Sequence, residues 1–397
     1  MAQALEGVVV ADFTHVMAGP FATHLLRLLG ATVIKIEEPS HGDNMRYYGE
    51  DRRYDGMSPA FIAVNAGKKS IALNLKDESQ LAIARDIVGR ADVLVENFRP
   101  GVMTRLGLGY EACRQYNSDL VYCSVSGYGQ TDSKYRDWPA IDNIVQATSG
   151  MMSLGGDPGD PPSRVGFPVV DTLTGQTAAF AILAALLRRE RNGGGEYIDV
   201  AMFDATLAFM ASAVVPFLVT GKAMRRTGNI GYSGQPTSGL FETGDGRKVS
   251  LGVVQQRQFV TLVRFLGCEE WLDDQRFATA DARRANADEL HARLEAILRT
   301  RPAAEWEAAM SEIGIPCGMV REVSEAAGFE HLASRGLRLP IRVKGLPQNE
   351  EIDIVNSGFL LSEDSPHVDE PPPRLDEHRA EILDWLAGDA RTRLRTR

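Results

Sequence analysis

The sequence predicts an α/β protein built on an open parallel sheet. Three observations carry this: short β-rich apolar runs recur through the first half, helix-patterned segments separate them, and turn residues mark the joints. Strands alternating with helices are joined by right-handed crossovers and lie parallel, with ligands taken at their carboxyl ends. Residues 7–13 (GVVVADF) form the first strand-like run. Pro20 opens a helix with apolar positions at Phe21, Leu25, Leu28 and Leu29, and Gly30 closes it, the Pro-first, Gly-last order of helices. Strands follow at 31–37 and 69–75, a helix over about 77–90, and strands at 92–98 and 120–125. Residues 172–191 read as a long Ala/Leu-rich helix with Arg188, Arg189 and Arg191 near its negative end, stopped by Asn192 and three glycines.

A strand at 196–200 and an apolar helix from about Phe203 come next, then a Gly-, Ser- and Thr-rich loop over 222–238. Residues 239–253 suit a hairpin around Gly244-Asp245-Gly246. Helical patterns occupy 257–266, 288–299 and 303–313; strand-like segments return at 341–343 and 352–354, and a helix ends the pattern near 377–386. At 397 residues, two domains are expected, because single cores stop growing near roughly 250–300 residues.

Composition narrows the function classes. The formal net charge is -10, which argues against nonspecific nucleic-acid binding because that needs a basic face. The start lacks a basic segment followed by a long apolar core, so no signal peptide is expected. The apolar stretches 178–187 and 207–219 fall short of the roughly 18–20 residues that span a bilayer, and no membrane partner is expected. Cys113, Cys123, Cys268 and Cys317 are widely spaced, which suits reduced thiols in a cytoplasmic protein.

Several motifs are absent. There is no GxxxxGK[ST] loop, no GxGxxG after the first strand, no GxSxG and no HExxH, and the seven histidines are scattered. Nucleotide, dinucleotide, serine-hydrolase and metal chemistry are therefore disfavoured. The informative segment is 166–175, where an apolar run ends in Asp171 at the mouth of the long helix. A carboxylate there can attack an acyl carbon and form an anhydride; it can also serve as an N-cap accepting from the Leu173 or Thr174 amide. Lys68, Lys69 and Lys76 lie near a turn and suit phosphates, or equally a solvated surface. Glu96 to Gly101 (ENFRPG) with Arg105 can hold an adenine or pantetheine arm, or make an ordinary strand-to-helix turn.

Taken together, the segments LEGVVVADFTHVMAGPFAT, LLGATVIKIEEPSHGD, NAGKKSIALNLK, ADVLVENFRPG, YCSVSGYGQTD, VVDTLTG, GGGEYIDVAMFDA and GIPCGMV resemble the family III coenzyme A transferases of the CaiB/BaiF superfamily. That group includes formyl-CoA, carnitine and bile-acid CoA-transferases. The resemblance implies a Rossmann-like large domain, a smaller α+β domain and an interlocked homodimer of ring-like subunits. It divides the chain into 1–205 (large domain), 206–227 (linker), 228–320 (small domain), 321–340 (linker) and 341–397 (completing the large domain). It implies Asp171 as the catalytic nucleophile, and CoA contacts at Val16, Leu73, Lys76, Asn97, Phe98 and Arg105. It implies no metal and no permanently bound cofactor, with acyl-CoA and a carboxylic acid as substrates.

Two positions depart from the formyl-CoA transferase pattern: Met17 replaces a glutamine, and Glu38 replaces a basic residue. The glycine-only loop is replaced by Gly231-Tyr232-Ser233-Gly234-Gln235. Oxalate or formate specificity is therefore not expected. Arg225, Arg226 and Gln235 are candidates to grip a second carboxylate, as in succinate. The α-methylacyl-CoA racemases share the fold and would need a His-Asp pair, but Ile141 precedes Asp142 and cannot exchange protons. A CoA-binding module without transfer activity is the third reading. Cys317 lies in a segment read as a turn returning the chain between domains.

Overall fold

Short strands form the main sheet; the four inner ones are buried along their whole length, as expected of strands covered on both faces, and the last, at one edge, is buried only at its end. The computed structural model describes residues 3–388; residues 1, 2 and 389–397, the outer ends of the 1–205 and 341–397 segments, lie outside the described residues. In chain order come β1 (Val9–Asp12), α1 (Ala18–Leu28), β2 (Thr32–Glu37), α2 (Pro59–Asn65), β3 (Lys69–Ala72), α3 (Glu78–Arg90) and β4 (Val93–Glu96). The one-turn helices α4 (Val102–Arg105) and α5 (Tyr110–Cys113) lead to β5 (Val121–Ser126), followed by α6 (Asp142–Thr148), α7 (Val169–Asn192) and β6 (Glu196–Ala201). The sheet order is β3-β2-β1-β4-β5-β6, and every pairing is parallel. The order reverses between β1 and β4, which opens a crevice at their carboxyl ends.

Local chemistry sets the helix starts. Ser58 accepts the Phe61 amide with Pro59 in the first position of α2, and Asp77 accepts the Ser79 and Gln80 amides at the head of α3. One face of the sheet packs Val10, Val33 and Val95 against Leu26 of α1 and Ala178 and Ile182 of α7. The other packs Ile34, Ile71 and Leu94 against Leu81 and Ile87 of α3. Gly175 lets α7 approach α1 closely: a Cβ there would sit 2.6 Å from the Ala18 carbonyl oxygen.

α7 starts at Val169, three residues before the expected start, with Pro168 at the cap. Among the described residues it is the helix that, by length and composition, could cross a membrane. Counting unbroken apolar runs missed this, because its polar residues interrupt the run; Ala178, Ile182 and Ala185 pack into the core. α8 (Met202–Phe209) and α9 (Ala211–Thr220) follow, bent by 77° at their junction.

Residues 153–163 and 223–329 form a second compact unit, and the other described residues form the first. Within the second, β7 (Ser238–Glu242) and β8 (Lys248–Gly252) make the hairpin, with α10 (Gln256–Leu266), α11 (Ala280–Ala285), α12 (Ala287–Leu298) and α13 (Ala303–Glu312) around a core of its own. β9 (Cys317–Met319) pairs antiparallel with β8, so Cys317 sits in a strand and not in the expected turn. α14 (Val323–Ala327) ends this unit.

Back in the first unit are α15 (Glu330–Ser334), β10 (Arg338–Arg342), β11 (Glu351–Val355) and α16 (Arg379–Ala387). β10 and β11 pair only with each other, as a separate antiparallel ribbon. Ile341 and Ile354 pack against Leu28 and Ile62, while Ile382 and Trp385 join the α3 face of the main core. Of the stretches read as linkers, 206–227 holds the end of α8 and all of α9, and 321–340 holds α14, α15 and the start of β10.

Candidate active site

Asp171 is the third residue of α7, not its cap. The helix start is satisfied by a different carboxylate, from α6. Asp142 Oδ2 accepts the Val170 amide at 2.7 Å and the Asp171 amide at 3.2 Å. Gln146, one turn along α6, holds the other oxygen of Asp142 at 2.6 Å, and its own carbonyl oxygen accepts the Val165 amide at 2.8 Å. The capping alternative for Asp171 therefore fails: Asp142 does that work, and no hydrogen bond to the Asp171 carboxylate is found among the described residues. Burial, and then the negative charge of Asp142, push the Asp171 carboxyl up to about 7. A carboxylate with no partner keeps its lone pairs for an electrophile, which a capping carboxylate cannot do.

Asp171 lines a cavity of about 1110 Å³ at the carboxyl ends of β1, β4 and β5. Val16, Asn97 and Phe98, three of the residues expected to contact CoA, line it too. Asn97 clamps the loop after β1 from both sides: its side-chain oxygen accepts the His15 amide at 2.9 Å and its nitrogen donates to the His15 carbonyl at 2.8 Å. The Phe98 ring meets the His15 ring edge-on, centroids 4.6 Å apart. Val16 has φ 65°, a left-handed conformation that costs a β-branched residue about 1–3 kcal/mol.

Buried charge holds that strained loop in place. Asp43 accepts the Val16 amide at 3.0 and 3.2 Å and pairs with Lys35 at 3.0 Å. Lys35 also donates to the Thr14 carbonyl at 2.8 Å. Beside them Asp12 pairs with Lys68 at 3.1 Å and Glu37 with Arg46 at 2.7 Å, all with buried side chains. Burial alone would raise the Asp12 carboxyl, but Lys68 and Lys35 bring it down to about 2.

Lys68 thus corrects the reading of its turn. Its ammonium is enclosed by Asp12, the Thr23 hydroxyl and the Pro20 carbonyl, so it is neither solvated nor open to a phosphate. Lys69 pairs with Glu381 at 2.8 Å. Leu73 is buried in the α3-side core, while Lys76 and Arg105 are exposed, and none of the three lines the Asp171 cavity. Met17 lines the cavity; Glu38 instead accepts from the Ser40 and His41 amides on the surface. In the second unit, Arg226 donates to the Ser153 and Asp160 carbonyls, Gln235 is buried and Arg225 is exposed. Among the described residues no cluster of three or more His, Cys, Asp or Glu residues could hold a metal ion.

Sequence reasoning missed three cavity residues. Tyr48 lies on a loop with no motif; burial, then Asp43 and Asp171, raise its hydroxyl pKa. Arg164 lines the cavity, and among the described residues its one hydrogen bond is a 3.5 Å contact to the Val165 carbonyl. Asp142 was weighed only as half of a racemase pair, and its spacing from Gln146 on one helix face was the available signal.

The chain is 42% identical, over 95% of its length and 94% of the relative's, to an acetyl-CoA:oxalate CoA-transferase of Acetobacter aceti. It is 34% identical, over 98% of its length and 97% of the relative's, to a succinate–glutarate CoA-transferase of Agrobacterium fabrum. A crystal structure of a CaiB/BaiF family protein from Brucella suis superposes with a TM-score of 0.85 at 31% identity, covering 97% of this chain and 100% of that one. The pattern of CoA-transferase family III matches residues 5–379, and the chain belongs to that family of enzymes, which exchange CoA between acyl-CoA thioesters and carboxylic acids.

Proposed function

We propose that the transfer runs through Asp171 as a covalent nucleophile. The observation that carries this reading is the unpaired, partly buried carboxylate facing a cavity large enough for a thioester. The Asp171 carboxylate attacks the thioester carbonyl of the donor, giving an aspartyl-acyl anhydride and CoA thiolate. The thiolate attacks the aspartyl carbonyl, releasing the donor acid and leaving an aspartyl-CoA thioester. The acceptor carboxylate displaces the thiolate to form a new anhydride, and the thiolate then attacks the acceptor carbonyl, regenerating Asp171.

Val16, Asn97 and Phe98 share the cavity with Asp171 and suit the thioester arm; Lys76 and Arg105, exposed and cationic, suit the phosphates of CoA. Arg164 suits the far carboxylate of a dicarboxylic acyl group, in keeping with relatives named for succinate and glutarate; the 42% identical relative named for oxalate runs against the expectation drawn from Met17, Glu38 and the 231–235 loop. Racemisation has no support at Ile141, which lines the cavity but carries no exchangeable proton. A second copy of the chain is the proposed cover for Phe180 of α7 and for Phe209, Phe217, Leu218 and Val219 of α8 and α9, all exposed.

The test is mass spectrometry of the intact protein after incubation with succinyl-CoA and other short acyl-CoAs, with hydroxylamine or borohydride trapping. An acyl or CoA adduct on Asp171, absent in Asp171→Ala, is expected. No adduct with any donor, together with deuterium exchange into an α-methylacyl-CoA, would replace this reading with racemisation.

A further inference from the structure

β3 is the outer strand at one edge of the main sheet, and among the described residues no further strand pairs with it. An open edge of this kind is a template for another chain. Here residues 376–379, at the entry to α16, take the place of a strand. The Ser70 amide donates to Nδ1 of the His378 ring at 3.2 Å, and the His378 amide donates to the Ser70 carbonyl at 3.0 Å. Two residues along the edge, the Ala72 amide donates to an Asp376 carboxylate oxygen at 2.8 Å, and the Arg379 guanidinium donates to the Ala72 carbonyl. The outward amide and carbonyl of both strand residues are thus satisfied. Asp376 does this with φ 64°, a left-handed conformation that aspartate tolerates better than most residues.

A proton breaks the contact from Ser70 to the His378 ring outright. A backbone amide can only donate, so Nδ1 carries no proton and the ring is neutral. Protonation would set two donors face to face. The surroundings favour the neutral ring: burial, and then the Lys69 ammonium, hold His378 below its ordinary value of 6.5, against the pull of Glu377, Glu381 and Glu370. His378 also caps the positive end of α16, where an imidazolium is disfavoured. Solvent reaches the ring through a cavity of about 230 Å³ that His378 lines, with Lys68, Lys69, Glu370 and Glu377 as its charged residues.

We infer that residues 376–379 form an acid-released latch: neutral His378 closes the edge of β3, and its protonation frees the segment. Because the folded ring titrates below the unfolded value of 6.5, the stabilisation is present above that pH and is lost as pH falls through the folded value. The open form bares the Ser70 and Ala72 groups to a strand of another chain. The latch does not depend on Asp171, and it stands or falls separately from the covalent mechanism.

The test is hydrogen–deuterium exchange of the full-length protein from pH 7.5 to 5.0, read by mass spectrometry and corrected for the intrinsic pH dependence of exchange. Protection of peptides spanning 68–75 and 370–380 is expected to fall by about tenfold or more, while peptides of β1 and β4 keep theirs. His378→Asn offers an acceptor that takes no proton in this range. Its protection should lie within about threefold of wild type at pH 7.5 and stay flat down to 5.0. His378→Leu, which has no acceptor, should show the low value throughout. Wild-type protection that does not change with pH overturns the latch. So does an equal loss in His378→Asn, or a loss spread evenly over β1 and β4. Should His378→Asn fold poorly, the wild-type pattern alone decides between local release and general loosening.

Discussion

Asp12 and Asp171 are carboxylates of the same unit with opposite surroundings. Asp12 is enclosed at the end of β1, where Thr14, Thr23 and Lys68 all contact its oxygens, and its carboxyl sits at about 2. Asp171 has a cavity in front of it, a second acid behind it and no hydrogen-bond partner found, and its carboxyl sits at about 7. The paired acid helps hold a loop together; the unpaired one is the nucleophile of the proposed mechanism. Regions that carry function are often locally destabilised, and this pair makes that trade measurable.

The largest effect expected is on turnover in Asp171→Asn, which should lose CoA transfer by about 10³-fold or more. The same change should stabilise the fold. Because the folded pKa is raised from 3.8 to about 7, ionising Asp171 weakens the native state as pH rises through that window. Denaturant melts should show the variant more stable by about 1–3 kcal/mol at pH 8, with the gap closing toward pH 4.

Asp12→Asn should behave in the reverse sense. It strands Lys68 without its counter-charge and should lower stability by about 3–5 kcal/mol at pH 7. In the wild type the Asp12 contribution is present above 3.8 and lost as pH falls toward about 2. If both variants shift stability in the same direction, the contrast between the two acids is wrong.

Asp142→Asn sharpens the comparison with a smaller effect. Its side-chain oxygen can still accept the Val170 amide, but its charge no longer opposes ionisation of Asp171. The acid limb of kcat/KM should move down by about one pH unit, with kcat at pH 8 reduced only a few-fold. An unchanged limb would assign the raised Asp171 value to burial alone.

What the sequence revealed follows from how local each signal is. The six strands and the long helices are legible because apolar runs and helical periodicity lie within a few residues of each other. α6 is seven residues long and was not legible, and with it went the role of Asp142, which acts on amides 28 residues away. Pro168 can head a helix, so the start of α7 shifted by three residues and turned a suspected cap into a free side chain. Lys68 was misread because its partner Asp12 lies 56 residues back, and nothing local marks a lysine as buried. The positive φ of Val16 was equally hidden, since only Asp43 and its ion pair show what holds it.

The most direct measurement is the rate of adduct formation on Asp171 with succinyl-CoA as a function of pH, by rapid quench and mass spectrometry. A carboxylate attacks only when ionised, so the rate should rise with pH through a midpoint near 7 and fall to background in Asp171→Asn. An adduct on another residue, or a midpoint near 4, would contradict the account of Asp171 as the unpaired nucleophile of this site.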